Sequence, residues 1–164
     1  YNAKLITSVE EVNDAQKLVI AQKIIHKFGE NLEGKTFGIW GLAFKPGTDD
    51  MREAPAIYII KELVKRGAKI QAYDPKAIDE AQNFYLKGLE NVSYVNSKYK
   101  ALENADAMVL LTEWKEFRSP DFDEIEKLLN SPIIFDGRNQ YNVFNLEEKG
   151  IEYYQIGKTE IVKS

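Results

Sequence analysis

The sequence is most informative at residues 36–52, which read Thr-Phe-Gly-Ile-Trp-Gly-Leu-Ala-Phe-Lys-Pro-Gly-Thr-Asp-Asp-Met-Arg. The apolar run over 37–42 predicts a buried strand. Pro55 predicts a helix start soon after it, because proline has a fixed φ and lacks the N–H group that a first helical residue leaves unpaired. Strand, turn-rich loop and helix together are typical of the opening unit of a nucleotide-binding α/β domain.

The loop resembles a dinucleotide-binding fingerprint but departs from it at two positions. In G-x-G-x-x-G, the second glycine lets the backbone approach a pyrophosphate, and the third lets the helix lie close to the strand. Counted from Gly41, these two positions hold Ala43 and Pro46, so a pyrophosphate bound to bare backbone is not expected. Phe44 and Lys45 offer instead an aromatic face and a point charge at the carboxyl end of the strand, where open α/β sheets bind ligands.

The rest of the chain alternates strand patterns with helix patterns. Strands are predicted over 69–73, 92–95, 107–111, 132–135 and 152–156, and helices over 55–66, 76–87, 97–103 and 121–129. This alternation predicts a right-handed, mostly parallel sheet with helices on both faces. We therefore expect a three-layer, doubly wound, Rossmann-like α/β domain over residues 34–164.

A long helix is predicted before this domain. Ser8 and Glu11 form a capping-box pattern, and apolar positions continue as far as Phe28, just before Gly29. The helix either covers one face of the domain's own sheet or leads to a neighbouring domain, and its length favours the second interpretation. His26, the single histidine, lies near the end of the helix, where a cation is favoured, and a structural role is expected for it.

Four motifs in order resemble the C-terminal domain of UDP-glucose 6-dehydrogenases, within the UDP-glucose/GDP-mannose dehydrogenase family. They are the run over 41–56, Tyr73-Asp74-Pro75, Thr112-Glu113-Trp114-Lys115-Glu116-Phe117 and Asp136-Gly137-Arg138-Asn139. The resemblance covers most of residues 34–142. It implies a UDP-sugar-binding domain over 34–164, preceded in 1–33 by the end of a central helix that joins two nucleotide-binding domains and carries dimer contacts.

The resemblance also implies roles for single residues. Phe44, Lys45 and Arg138 would contact UDP-glucose or UDP, and Arg52 would reach toward NAD bound mainly by a domain missing from this sequence. The family oxidises UDP-glucose to UDP-glucuronate in two NAD-dependent steps, a precursor reaction for surface polysaccharide. No catalytic residue and no metal ligand are assigned here, because the family's catalytic cysteine has no counterpart in a chain without cysteine. We expect the chain alone to bind but not to catalyse.

Two side-chain assignments at strand ends stay open in the sequence. Glu113 either pairs with a nearby base, while Trp114 and Phe117 cap the core, or these residues contact the ligand directly. Arg138 can present a planar fork of N–H groups to a phosphate, or it can pair with a loop acid such as Asp49.

Other functions also stay open in the sequence. The substrate could be GDP-mannose or UDP-N-acetylmannosamine, whose dehydrogenases share this domain. The chain could instead be a non-catalytic NAD-binding module, supported by Asp74 at the position of a ribose-binding acid, or a pure interaction module. Without the fingerprint glycines, a plain turn and helix start is the favoured role for Asp74.

Composition narrows the class of protein. The 164 residues are 44% hydrophobic and 29% charged, as in ordinary globular domains, and the net charge of −4 argues against a nucleic-acid partner. No apolar run reaches the roughly 20 residues of a membrane span, and no signal peptide is visible. A chain without cysteine is compatible with a cytoplasmic location. The start at Tyr1, without methionine, suggests a piece of a longer protein.

Overall fold

The structure, a computed structural model, describes residues 17–157. Its sheet has six strands in the order β3-β2-β1-β4-β5-β6, and every neighbouring pair is parallel. The strands are β1 (Thr36–Trp40), β2 (Lys69–Tyr73), β3 (Val92–Tyr94), β4 (Ala107–Leu110), β5 (Ile133–Asp136) and β6 (Glu152–Gln155). This is the doubly wound order of a Rossmann-like domain, so the predicted fold class is confirmed.

The helices connect the strands over both faces of the sheet. They are α1 (Val19–Phe28), α2 (Pro55–Lys65), α3 (Ile78–Glu80), which continues into a π-helical turn (Ala81–Tyr85), and α4 (Phe122–Leu128). Single 3₁₀ turns follow at Lys100–Leu102, Lys115–Phe117, Asn142–Phe144 and Leu146–Lys149, so the helix predicted over 97–103 shrinks to one turn. Within residues 17–157, no helix combines the length and the hydropathy that crossing a bilayer requires.

The described part of α1 packs on this domain's own sheet. The helix ends before Gly29, as the sequence predicts, and Gly29 has a φ of +97°. The ring of Phe28 lies 5.4 Å from that of Phe37 and 6.3 Å from that of Phe135, measured between centroids. This end of the helix therefore covers one face of the sheet. The predicted helix start near Ser8 lies outside the described residues.

The centre of the sheet is formed by β1 and β4. Phe37 pairs with Ile70 of β2 on one side and with Ala107 of β4 on the other. All four residues of β4 are buried, as are the last four of β1. Continuous burial without alternation is expected for parallel strands that are covered on both faces.

The carboxyl ends of β1 and β4 approach each other closely. Gly41, directly after β1, has φ +102°, and a Cβ atom there would lie 2.5 Å from the backbone nitrogen of Thr112. The Thr112 hydroxyl donates a hydrogen bond of 2.6 Å to the carbonyl of Ala43. From β1 the chain first adds β2 and β3 on one side and then crosses back to add β4, β5 and β6 on the other, and doubly wound sheets bind ligands at such a switch point.

Substitution of Gly41 should reveal this close approach. Gly41→Ala introduces a left-handed φ on a residue with Cβ, costing about 1 to 3 kcal/mol, and overpacking against Thr112 adds about 1 to 3 kcal/mol. Gly47→Ala is the matched control, since Gly47 has φ +89° but open space around its Cβ position. Urea unfolding should show Gly41→Ala as clearly the more destabilised variant, and equal stabilities would contradict the close approach.

Candidate functional site

The carboxylate of Asp74 organises the loops at the carboxyl edge of the sheet. The residue is 2% exposed. Oδ2 accepts hydrogen bonds from the backbone of Leu42 (2.7 Å) and Ala43 (3.0 Å) and from the indole N–H of Trp114 (3.0 Å), and Oδ1 from the backbone of Lys76 and Ala77 (2.8 Å each). These five donors occupy the carboxylate, which leaves no acceptor position for a ribose hydroxyl. The predicted structural role of Asp74 is confirmed.

Three consecutive residues after β4 each contact the end of a different strand. The Thr112 hydroxyl bonds the loop after β1, and the Trp114 indole bonds Asp74 after β2. The Glu113 carboxylate accepts a hydrogen bond from Nε of Arg138 after β5. The segment Thr112–Trp114 therefore fixes the four strand ends relative to one another.

Glu113 and Arg138 form an ion pair that resolves the open assignment of Glu113. Glu113 pairs with a nearby base, as one interpretation of the sequence held. The alternative pairing of Arg138 with Asp49 is wrong, because the acid paired with Arg138 is Glu113, which follows the neighbouring strand β4. The Arg138 side chain is 44% exposed and that of Glu113 is 18% exposed, so the pair lies at the surface of the edge.

Trp114 and Phe117 belong to the core. Trp114 is 9% exposed and Phe117 is fully buried. The Phe117 ring stacks on Trp40 at a centroid distance of 4.9 Å, with an interplanar angle of 29°. Both aromatic side chains therefore cap the sheet under the edge, and they leave ligand contact to the more exposed residues around them.

Phe44 and Lys45 lie together on the loop after β1. Phe44 is 39% exposed, and its backbone N–H donates to the carbonyl of Asp50 at 3.0 Å. Nζ of Lys45 lies 5.4 Å from the centre of the Phe44 ring. An exposed aromatic face and an exposed ammonium thus stand side by side at the carboxyl end of the central strand, where an anionic aromatic ligand can reach both.

Arg52 lies further along the same loop and is held by Asp50. Its guanidinium donates to both carboxylate oxygens, from Nε at 3.1 and 3.2 Å and from Nη2 at 2.8 Å, and its side chain remains 80% exposed. The hydrogen bonds from Arg52 hold the pKa of Asp50 below its ordinary value, and Lys45 contributes in the same direction. The Arg52 side chain is therefore exposed to solvent while its guanidinium is held by Asp50.

The structure does not join all the predicted site residues by direct contact. Among residues 17–157, no hydrogen bond, ion pair or ring contact links Arg138 to Phe44, Lys45 or Arg52. The cations are related instead by the sheet, since β1 pairs with β4 and β4 with β5. Like charges on one rigid edge repel each other, and such an arrangement is stabilised when an anion binds between them.

A second buried carboxylate, Asp136, organises the end of β5, and the sequence analysis assigned it no role. Asp136 is fully buried and accepts hydrogen bonds from the backbone of Arg138 (2.9 Å) and Tyr141 (2.8 Å) and from the hydroxyl of Tyr153 (2.7 Å). Its sequence signal was available, because an acid directly after an apolar strand repeats the position of Asp74. Burial and then the Asp136 carboxylate raise the pKa of Tyr153 well above its ordinary range.

A cavity of about 350 Å³ opens at the edge strand β3, away from these residues. It is lined by Ile78, Gln82, Val92, Ser93, Tyr94, Val95 and Asn96. The Tyr94 hydroxyl is buried without a hydrogen-bond partner in the described part of the chain, and burial raises the pKa of Tyr94 to about 12. Since no lining side chain is charged, the cavity does not suit a diphosphate.

The described residues offer no metal centre and no dinucleotide cradle. Across residues 17–157, no three His, Asp or Glu side chains are grouped so that they could hold a metal ion. Ala43 and Pro46 replace two fingerprint glycines, and Asp74 has no free acceptor. The loop after β1 and the acid after β2 therefore lack the two features by which a dinucleotide fingerprint binds pyrophosphate and ribose.

Comparison with known protein families identifies the domain. The model described as "UDP-glucose/GDP-mannose dehydrogenase family, UDP binding domain" matches residues 38–143, a range that contains Phe44, Lys45, Arg52 and Arg138. The chain belongs to this family. The resemblance that the four motifs predict is thereby confirmed.

Curated relatives agree with this assignment. The chain is 38% identical over 160 residues to a UDP-glucose 6-dehydrogenase of Pseudomonas aeruginosa, covering 96% of this chain and 35% of that protein. It is 40% identical over 158 residues to the UDP-glucose 6-dehydrogenase TuaD of Bacillus subtilis, covering 96% of this chain and 33% of that protein. The chain thus spans about a third of the length of these relatives.

Solved structures of the family share the fold. A UDP-glucose dehydrogenase from the archaeon Pyrobaculum islandicum superposes with a TM-score of 0.72 at 26% identity, over 90% of this chain and 31% of that one. A UDP-D-ManNAc dehydrogenase from Pyrococcus horikoshii gives a TM-score of 0.64 at 26% identity, with the same coverage of 90% and 31%. Enzymes named for different sugars therefore share this domain.

Removal of the Asp74 carboxylate should destabilise the domain strongly. Asp74→Ala leaves several buried donors unpaired at about 1 to 3 kcal/mol each, so we expect a loss of at least about 3 kcal/mol in the free energy of unfolding. Asp49→Asn is the control, because Asp49 is an exposed acid of the same edge. Urea denaturation measures both variants, and a loss under about 1 kcal/mol for Asp74→Ala would contradict this role.

Stability should fall with rising pH above about 10, the ordinary pKa of tyrosine. The raised pKa of Tyr153 means that the folded state keeps a proton which the unfolded state has lost, so stability present below pH 10 disappears as pH rises further. Tyr153→Phe should therefore reduce the slope of unfolding free energy against pH between 10 and 12. The unfolding free energy of each protein is compared with its own value at pH 7. If Tyr153→Phe has the same slope as the unchanged protein, the linkage to Tyr153 is contradicted.

Proposed function

We propose that the chain binds a UDP-sugar across the carboxyl ends of β1, β4 and β5, with Phe44, Lys45 and Arg138 as its contacts. The observation that carries this proposal is the placement of an exposed cation and an aromatic ring after β1, and of a second exposed cation after β5, on either side of the sheet's switch point. All three residues fall within the range that matches the family's UDP binding domain.

The chemistry of these residues fits a nucleoside diphosphate. Lys45 supplies a compact positive charge that can follow a flexible phosphate group. Arg138 has a planar guanidinium that can donate two parallel hydrogen bonds to phosphate oxygens. Phe44 offers its exposed face to the apolar side of the sugar or base. The chain carries a net charge of −4, and Lys45 and Arg138 place two exposed cationic side chains at this edge.

We further infer that the chain is the C-terminal part of a UDP-glucose 6-dehydrogenase that oxidises UDP-glucose to UDP-glucuronate with two NAD. The names of the curated relatives support this substrate. In that enzyme, residues 1–33 would be the end of the central helix that carries homodimer contacts, and 34–164 the UDP-sugar-binding domain. Arg52, exposed on its Asp50 support, would reach NAD held mainly by the other domain. With no cysteine to form a thioester, the chain alone would be inactive.

Ligand binding to the 164-residue chain tests the proposal. UDP and UDP-glucose should raise the melting temperature, because a ligand at about 100 times its Kd adds roughly 2.7 kcal/mol of stability. In calorimetric titrations, Lys45→Ala and Arg138→Ala should each weaken UDP binding by about 1.5 to 3 kcal/mol, the contribution of a hydrogen bond to a charged group. Lys69→Ala is the matched control, since Lys69 is exposed at the opposite end of β2.

The other ligands decide between the remaining functions. GDP should bind more weakly than UDP, and a preference for GDP would move the substrate to GDP-mannose. A response to NAD alone would contradict the UDP-sugar proposal and favour a dinucleotide-binding module. Unchanged UDP affinity in both Lys45→Ala and Arg138→Ala would place the site elsewhere on the domain.

A further inference from the structure

The ion pair between Glu113 and Arg138 poses an electrostatic problem for an anion-binding edge. Glu113 places a carboxylate directly against one of the two cations that would hold a diphosphate. Judged by charge alone, this carboxylate repels the ligand and weakens its binding. Its presence there requires a gain that outweighs the repulsion.

The atoms in contact indicate what that gain is. A guanidinium has five N–H donors, and Glu113 accepts from the one on Nε. Within residues 17–157, no side chain other than Glu113 forms an ion pair with Arg138. The outer pair of Nη atoms, which forms the bidentate fork, therefore stays open. Contact through Nε restrains one edge of the guanidinium without occupying this fork.

Glu113 is itself held firmly in the chain. The residues on either side of it are anchored, Thr112 by its bond to the Ala43 carbonyl and Trp114 by its bond to buried Asp74. The backbone of Arg138 is anchored in turn by its bond to Asp136. The backbone is therefore anchored at both residues of the ion pair. The long arginine side chain loses rotamer freedom in this pair before any ligand binds.

We propose that Glu113 is a positioning residue, which orients Arg138 so that its free fork faces the diphosphate next to the loop of Lys45. This inference rests on the proposed UDP-sugar site and adds a residue to it. Preorganisation of this kind strengthens binding because the cost of ordering the arginine is met during folding. The direction in which UDP affinity changes when the Glu113 side chain is removed distinguishes the two roles. If Glu113 is only a counter-ion, its removal tightens UDP binding. If it is a positioning residue, its removal weakens UDP binding.

Calorimetric titration of the 164-residue chain with UDP tests the proposal. Glu113→Ala should weaken UDP binding about fivefold or more, a typical coupling between residues in contact. Glu113→Gln keeps an oxygen for Nε and removes the charge, so its affinity should equal or exceed that of the unchanged protein. Glu113→Asp keeps the charge but is one methylene too short, so it should weaken binding as Glu113→Ala does. Glu103→Ala, at an exposed acid before the amino end of β4, is the control.

A double-mutant cycle shows whether the effect passes through Arg138. In an Arg138→Ala background, Glu113→Ala should change UDP affinity by less than about twofold, because the group that it orients is gone. Urea unfolding of each variant identifies any that fails to fold, in which case the comparison between Glu113→Asp and Glu113→Gln carries the test.

The possible outcomes separate the two proposals. If the unchanged protein does not bind UDP, the proposed function fails, and the role of Glu113 fails with it. If Arg138→Ala weakens binding while Glu113→Ala leaves it unchanged or tighter, the UDP site stands and the positioning role is overturned. An equal loss from Glu113→Ala with and without Arg138 would also overturn it.

Discussion

The carboxyl edge of this domain depends on one buried charge, the carboxylate of Asp74. A carboxylate without hydrogen bonds in such a place would be strongly destabilising, and here five donors surround it. The donors come from the loop after β1, from the turn that begins α3 and from Trp114 after β4. One side chain thus fixes three segments that lie far apart in the sequence. A buried side chain thus holds this loop where a dinucleotide fingerprint would use glycine backbone.

Much of the fold could be predicted because parallel strands covered on both faces read as continuous apolar runs. The run 107–111 predicts β4 to within one residue, and Pro55 marks the first residue of α2. The helix predicted over 97–103 was wrong in length for a topological reason. The connection from β3 to β4 must cross three strand positions, roughly 14 Å at about 4.8 Å per strand, and at Ala101 it lies directly against β1, too close for a full α-helix. The remaining 3₁₀ turn packs so closely that a Cβ on Gly38 would lie 2.5 Å from the Ala101 carbonyl.

The sequence could propose members for the candidate site but could not predict their contacts. Motif resemblance and strand ends identified Phe44, Lys45, Arg52 and Arg138, because the carboxyl ends of parallel strands share one edge. The pairing of Arg138 with Glu113 depends on which strands are neighbours and on side-chain rotamers, and neither is written in local sequence pattern. The role of Asp136 was not predicted because a single acid after an apolar run is common, and its burial and its hydrogen bonds with Tyr141 and Tyr153 reveal that role.

The position of β1 between β2 and β4 has a consequence for how the chain acquires its structure. Phe37 pairs with Ile70 of β2 at a moderate distance along the chain, but with Ala107 of β4 only across seventy residues. Long-range parallel pairing closes large loops and is slow to form. The half containing β1, β2 and β3 can therefore assemble before the half containing β4, β5 and β6 docks against it. The contact of Gly41 with Thr112 lies where these halves meet, so the switch-point edge is completed only when they dock.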